Sequence, residues 1–464
     1  MNINHVISTL NFYKTTESFN DDELFSYYQV RPININPYLG NYVVSGIRGS
    51  GKTMFLKSMY YQMLAIFFMQ CALQQPIEGF PILVKLANND FSGSEPSRQW
   101  FTEYLSAIRN SVVQIMDLSL KPNWIEIYIK KPLGIIASTG SPLHQYTKSF
   151  FDSQGELVLS CDEIRSSISG GPIRTKIEEL GVKFSNLIDC SGFPMLDSAF
   201  GQLGLTKPVV IIDDMSMFSP ETFYNGPFDS IFNSLTKCTN QKTIYSIIPF
   251  HKSDQPLQNV PFSLVPLSRD VRNPQEYLQT REFLSNMLEK LINANLADIM
   301  EVDESKPDVL EQLVYASNGI PRTCMVILEK ALAKLSLDVA DPENFYINRA
   351  CIDEAIKDHG YELYLRACAL LSPPLRERFK EAIHSCQVQG FILPEEEEWI
   401  EYLTVDKDRD PAVLMDVRFR KKYSLHYALC VYFDIPTHQG GDSNSVRSIH
   451  KAKWIDTVVN IHHA

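Results

Sequence analysis

No Cys-x-x-Cys pair occurs in this sequence; its nine cysteines stand singly along 464 residues. That distribution fits neither a zinc ribbon nor a disulfide framework, so the thiols are expected to be reduced core residues of a cytoplasmic protein. Positive charge is also in deficit. The 43 Lys and Arg stand against 55 Asp and Glu, a net charge of −12. This excludes a surface that grips nucleic acid everywhere, because phosphate binding needs clustered basic side chains. Any DNA contact has to be local or switched. Runs of membrane-spanning length are missing too. The most apolar stretch, Met54–Leu73, is interrupted by Lys57, Gln62 and Gln70, whereas a span needs roughly 20 predominantly apolar residues. It reads as a buried helix, and no membrane association is expected. The opening Met1-Asn-Ile-Asn-His5 has no basic patch followed by an apolar run, so no secretory signal is expected. There is no internal repeat. With 44% hydrophobic, 21% charged and 11% aromatic residues, the composition excludes both a disordered chain and a coiled-coil rod.

The remaining pattern is that of a folded chain with room for two or three domains of about 100–200 residues each. Residues 1–39 read as a lead-in with a short helix near Phe25–Tyr28. Asn41-Tyr-Val-Val-Ser45 is a β-prone run that breaks into a glycine-rich turn and then a helical pattern from Lys52, the order strand, loop, helix. Phe80–Leu86, Thr243–Pro249 and Phe262–Leu267 are further strand candidates, and Ser97–Leu118 spaces its apolar residues along one helix face. Pro208-Val-Val-Ile-Ile212 is an uninterrupted apolar run, as expected of a parallel strand covered on both faces. Strands alternating with helices predict a doubly wound α/β core over 40–270, with an insertion near 120–205 beside the sheet. Helical patterns at Tyr277–Asn293, Asp308–Ser317 and Thr323–Leu335 predict a helical lid over 271–340. The turn at Asp341-Pro-Glu-Asn344 then opens a C-terminal domain, 341–464, with helices at Arg349–Leu371 and Leu375–Cys386.

Gly46-Ile-Arg-Gly-Ser-Gly-Lys-Thr53 matches G-x-x-x-x-G-K-[ST] in full. In a loop of this kind Gly46, Arg48, Gly49, Ser50 and Gly51 wrap backbone N–H groups around phosphate oxygens. Lys52 reaches the β- and γ-phosphates, and the Thr53 hydroxyl ligates Mg²⁺. The preceding strand and following helix are the context this chemistry requires. Downstream, the apolar run at 208–212 ends in Asp213-Asp214. An acidic pair at a strand end is also an ordinary turn, but beside a complete phosphate loop it points to a Walker B element. Asp213 then holds Mg²⁺ through water, and Asp214 orients or deprotonates the attacking water.

A third signal is Ser317-Asn-Gly-Ile-Pro-Arg322, followed by the amphipathic Thr323–Leu332. With Arg48–Thr53 and Asp213-Asp214, Gly319-x-Pro321-Arg322 makes residues 25–340 resemble the AAA+ P-loop ATPases of the origin-recognition/initiator type and their bacterial relatives. The resemblance implies ATP and Mg²⁺ as cofactors and an ATPase activity. It also implies a sensor 2 role for Arg322, an arginine carried by a helical lid onto the γ-phosphate. A guanidinium suits that role because it stays charged and grips phosphate oxygens with two N–H groups. Arg322 also fits a solvated residue at a helix start. Nucleotide state is then expected to control assembly of a homo-oligomer or a partner protein. Relatives of this kind act in antiviral defence or with mobile elements.

Three departures qualify the resemblance. Asp214 stands where initiator-type proteins carry Glu, and the Asp-Asp pair is more similar to the STAND signalling ATPases, which implies slow turnover. Where the family has a polar sensor 1, this chain reads Ser246-Ile-Ile-Pro-Phe-His251-Lys252; Ser246 and His251 are the candidates, and each also fits a structural residue. No arginine finger stands out, and Arg269, Arg272 and Arg281 read as ordinary surface residues. In the C-terminal region, Arg418-Phe-Arg-Lys-Lys-Tyr423 is the densest basic cluster with interleaved aromatics. Initiator relatives carry a winged-helix DNA-binding domain there. A solvated charge run and a DNA-contacting face both fit the cluster, and acidic Glu395–Glu398 keeps the region from being uniformly positive.

Overall fold

Short β-branched runs separated by long helices pair in parallel when each run is buried on both faces, and the computed structural model of this chain follows that rule. It describes residues 2–13, 33, 35–46, 49–85, 96–119, 147–185, 187, 190–202, 208–213, 234–235, 237–247, 263–267, 274–302, 308–339, 341–370, 373–389, 414–417, 422–425 and 427–433. In chain order the first elements are α1 (Ile3–Tyr13), β1 (Tyr42–Ser45), α2 (Lys52–Ala72), β2 (Phe80–Lys85) and α3 (Pro96–Ser119). Then come α4 (Cys161–Ser169), α5 (Pro172–Ser185), α6 (Phe193–Gln202), β3 (Pro208–Asp213), β4 (Lys242–Ile247) and β5 (Ser263–Pro266). The last are α7 (Pro274–Ile292), α8 (Val309–Ala316), α9 (Pro321–Asp338), α10 (Arg349–Leu370), α11 (Pro373–Gln389), β6 (Leu414–Val417), β7 (Lys422–Leu425) and α12 (Tyr427–Tyr432). The chain divides into two compact units, one of residues 20–46 and 52–267, the other of 1–19, 47–51 and 268–464.

The first unit is an α/β layer around a five-stranded sheet of order β2-β3-β4-β1-β5. Every pairing in it is parallel. All of β3 is buried, as its uninterrupted apolar run requires. The chain leaves β1 for the far edge, returns through β3 and β4, and then adds β5 on the other side of β1. A reversal of this kind opens the crevice outside the carboxyl ends of the strands. Helix α2 is buried around its whole circumference from Ser58 to Cys71, and Phe55, Met59, Leu64, Phe67 and Met69 all lie in the core. Such a helix lies inside protein, and among the described residues no helix is long and apolar enough to cross a membrane. Phe80 of β2 sits between Phe67 and Phe184, with ring centroids 5.1 and 5.9 Å away.

The stretch 120–205, which sequence patterning leaves without elements, contributes α4, α5 and α6 in its described part. A capping box opens α4: the Glu163 N–H donates to Ser160 Oγ at 3.3 Å and the Ser160 N–H to Glu163 Oε2 at 2.7 Å. Phe193 of α6 packs among Trp100, Phe101 and Tyr104 of α3 at centroid distances of 5.6, 5.0 and 5.3 Å. Asp197 of α6 accepts the backbone N–H groups of Thr239 and Asn240 at 3.1 and 2.8 Å and so fixes the entry to β4.

The second unit is mainly helical. Its first helix, α1, is absent from the sequence expectations, although Ile3, Val6 and Leu10 carry a helical spacing and are all buried. The Phe25–Tyr28 helix lies outside the described residues. Arg281 differs from its expectation as a surface residue. Its side chain is 13% exposed and forms a two-pronged ion pair with Asp308, Nη1 to Oδ1 at 2.9 Å and Nη2 to Oδ2 at 2.6 Å. Asp308 is itself the N-cap of α8 and accepts the Glu311 N–H at 2.7 Å. Arg281 therefore braces α7 against α8; Arg269 and Arg272 lie outside the described residues. Helices α9 and α10 are joined by ion pairs, Lys334 to Asp358 at 2.6 Å and Lys330 to Glu362. At Gly360 a side chain would collide with the Ala428 carbonyl, so α10 and α12 approach backbone to backbone. The described cysteines Cys71, Cys190, Cys238, Cys324, Cys351, Cys368 and Cys430 carry no disulfide. Burial pushes the thiols of Cys71, Cys238 and Cys324 up to about 12, which leaves them protonated and unreactive at neutral pH.

His359, buried in α10, is pushed down to about 4 from its ordinary 6.5 by burial first, and then by the neighbouring charges of Lys330 and Arg366. Between those two pH values the unfolded chain takes up a proton that the folded chain refuses. Stability is therefore complete above pH 6.5 and falls as the pH drops through that window. In His359→Phe, the pH dependence of the unfolding free energy there should lose a slope of up to about 1.4 kcal/mol per pH unit. Urea titrations between pH 4.5 and 7 measure this, and an unchanged slope contradicts it.

Candidate functional site

Strand β1 delivers a buried Ser45 and Gly46 to the carboxyl end of the sheet. The next described residues, Gly49 and Gly51, have φ of +83° and +88°, the left-handed region that glycine enters without steric cost. Such residues let successive backbone N–H groups face one point, the geometry of an anion-binding nest. Ser50 between them is buried. Helix α2 begins at Lys52 with no acidic residue in its first turn, so its positive end meets the loop unopposed by a carboxylate of its own.

Within the α/β unit, the Lys52 ammonium donates from Nζ to the Gly46 carbonyl at 2.6 Å, across the two ends of the motif. Thr53 donates from Oγ1 to Asp213 Oδ1 at 3.3 Å, and Ser246 donates from Oγ to the same oxygen at 3.3 Å. The sheet register explains the meeting. In the parallel β3–β4 pair, Ile212 lies opposite Tyr245, so Asp213 and Ser246 follow side by side at the carboxyl ends. In the β4–β1 pair, Ser246 lies opposite Val44, just before the loop. Asp213 is 3% exposed and Ser246 is fully buried. A buried carboxylate is tolerated where donors surround it, and here two hydroxyls from different elements do so.

Within the helical unit, Arg322 stands at the start of α9, whose first residue is Pro321 and whose N-cap, Ile320, makes no side-chain cap. A Cβ built on Gly49 would lie 2.8 Å from the Arg322 Cβ and 3.2 Å from the Ile320 Cγ2. Gly49, Ile320 and Arg322 belong to the same unit. The structure thus brings Gly46 to Lys52, Thr53 to Asp213, and Gly49 to Arg322. Arg48, Asp214 and His251 lie outside the described residues. Of the basic cluster, Arg418–Lys421 are also outside them, while Lys422 and Tyr423 open β7, which pairs antiparallel with β6. Among the described residues no group of three or more His, Cys, Asp or Glu could hold a metal ion. Thr53 and Asp213 bring together a hydroxyl and a carboxylate, oxygen donors of the kind that hard cations take. Sequence patterning gives no role to Ile320, although the Asn318-Gly319 pair ahead of it signals a left-handed turn.

The chain is an α/β protein with an all-parallel sheet and a mainly helical second unit. No protein-family model matches it, and no curated protein matches it either.

Removing the Ser246 hydroxyl strips a hydrogen-bond donor from a buried carboxylate oxygen. Ser246→Ala should cost about 1–3 kcal/mol of stability in urea unfolding. A cost indistinguishable from zero contradicts the bond.

Proposed function

We propose that this chain is an ATP-binding and ATP-hydrolysing regulatory ATPase, of the AAA+ or STAND kind, in which the residues 46–53 hold the nucleotide phosphates. The observation that carries the reading is Thr53 meeting Asp213. A phosphate-loop residue and a strand-end carboxylate 160 residues apart share one hydrogen bond, as a magnesium nucleotide site requires. Support comes also from the left-handed Gly49 and Gly51 and from the α2 N-terminus.

In this reading the loop amides and Lys52 bind the β- and γ-phosphates, while Thr53 and Asp213 hold Mg²⁺, with Ser246 keeping the Asp213 carboxylate in place. Bound Mg²⁺ supplies charge neutralisation on the phosphate oxygens. Asp214 accepts a proton from water as its oxygen attacks the γ-phosphorus and the bond to ADP breaks. An Asp in this place implies slow turnover. Arg322, carried by α9, senses the γ-phosphate, and its engagement changes the state of the helical unit. Nucleotide state then controls assembly of a homo-oligomer or a partner protein, in the cytoplasm, and the link to antiviral defence or mobile elements follows from the resemblance alone.

A second reading is a DNA-binding loader or initiator. One observation favours it: Lys422 and Tyr423, the described end of the basic run 418–423, open the second strand of the antiparallel pair β6–β7, and two-stranded ribbons can enter a DNA groove. Steeply salt-dependent DNA affinity supports that reading; nucleotide-dependent assembly without DNA supports the first.

Lys52→Ala should abolish or strongly weaken ATP binding, since a charge-assisted contact to the phosphates is worth about 1.5–3 kcal/mol, roughly 10- to 150-fold in affinity. Fluorescent-nucleotide titration measures it. Unchanged affinity contradicts the nucleotide assignment.

A further inference from the structure

The chain turns sharply between α8 and α9, and the turn holds Ile320 rigidly. The Ser317 N–H donates to the Leu313 carbonyl at 2.9 Å, the Gly319 N–H to that of Val314 at 3.0 Å, and the Ile320 N–H to that of Ser317 at 2.9 Å. Asn318 and Gly319 adopt φ of +52° and +69°, the left-handed close of a helix. Ile320 then enters α9 with φ −87° and ψ 117°, and its carbonyl accepts the Cys324 N–H at 2.9 Å. The side chain is 2% exposed.

Gly49 lies against this fixed point. A methyl group there would meet the Ile320 Cγ2 at 3.2 Å, the Arg322 Cβ at 2.8 Å and the Arg322 Cδ at 3.5 Å. Contacts that tight leave no room for a side chain, and they involve atoms close to the α9 backbone rather than the guanidinium. We propose that Ile320, helped by the aliphatic stem of Arg322, is a positioning residue that buttresses the phosphate loop at Gly49. Ile320 and Arg322 then divide the work at the start of α9. The Arg322 guanidinium tells ATP from ADP, whereas Ile320 holds the loop backbone, which takes the phosphates common to both. Loss of the buttress lets Gly49 relax, and the binding energy spent on re-forming the loop is lost equally for the two nucleotides.

The proposal rests on the nucleotide reading, and one experiment separates them. Dissociation constants for ADP and ATP are measured on the full chain and on Ile320→Ala, Ile320→Val, Arg322→Ala and Leu328→Ala, with thermal unfolding of each. Leu328 is equally buried in α9 and controls for simple loss of packing. Ile320→Ala should weaken ADP and ATP by the same factor, roughly tenfold, a size common for coupled groups in contact. Ile320→Val should restore parent affinity, Arg322→Ala should weaken ATP more than ADP, and Leu328→Ala should lower the melting temperature without changing either constant. If Ile320→Ala does not fold, Ile320→Ser carries the same test, because its hydroxyl supplies the missing N-cap while removing the buttress. Parent affinities in the folded Ile320 variant, or an equal loss in Leu328→Ala, overturn the buttress alone. A parent chain that binds neither nucleotide overturns the nucleotide reading with it.

Discussion

The carboxylate of Asp213 is the constraint around which the α/β unit is arranged. It is buried at the end of a strand that is itself wholly buried, so it needs hydrogen-bond donors that do not depend on water. Thr53, from the first turn of α2, and Ser246, from the end of β4, both reach the same oxygen at 3.3 Å. That double contact requires β3 and β4 to be parallel neighbours in register, and it requires β1 to end beside β4 so that the loop can hand Thr53 back to the sheet. The strand order β2-β3-β4-β1-β5 meets both conditions. Charge and fold are tied together here. A slip in register would take both hydroxyls away from a carboxylate in the core.

The second unit depends on a different buried charge. Asp308 caps α8 and holds Arg281 of α7 through both carboxylate oxygens, so the short helix α8 is positioned at its start. At its other end the Ser317–Gly319 turn passes the chain directly into α9. The two ends of one eight-residue helix thus determine where Ile320 and Arg322 stand. The ion pairs of Lys330 and Lys334 with α10 extend the rigid part of the unit away from that point.

The strands and the residues that end them are legible in the sequence for the same reason. A parallel strand buried on both faces has to be an unbroken apolar run, and the residues that end it, Gly46 after β1 and Asp213 at the end of β3, stand out against that run. Helix α1 escapes such a reading because its apolar residues, Ile3, Val6 and Leu10, are few and sit among polar neighbours. The helices of 161–202 escape it because their surfaces carry dense, regularly spaced charges, such as Arg174 with Glu178 and Lys176 with Glu179, that mask the apolar face. Arg281 cannot be told from a surface arginine by local pattern, since its partner lies 27 residues further along in a helix cap. The contact between Gly49 and Ile320 is beyond reach for a related reason: it joins positions far apart in sequence, and nothing in either local pattern announces the other.

The central claim is that residues 46–53 and Asp213 form one magnesium-nucleotide site, and calorimetric titration of the unaltered chain with ATP, with and without Mg²⁺, tests it most directly. The account predicts saturable binding near one nucleotide per chain that tightens when Mg²⁺ is present and weakens in Asp213→Asn only in its presence. Absence of binding under both conditions, or an affinity indifferent to Mg²⁺ and to Asp213, would contradict it.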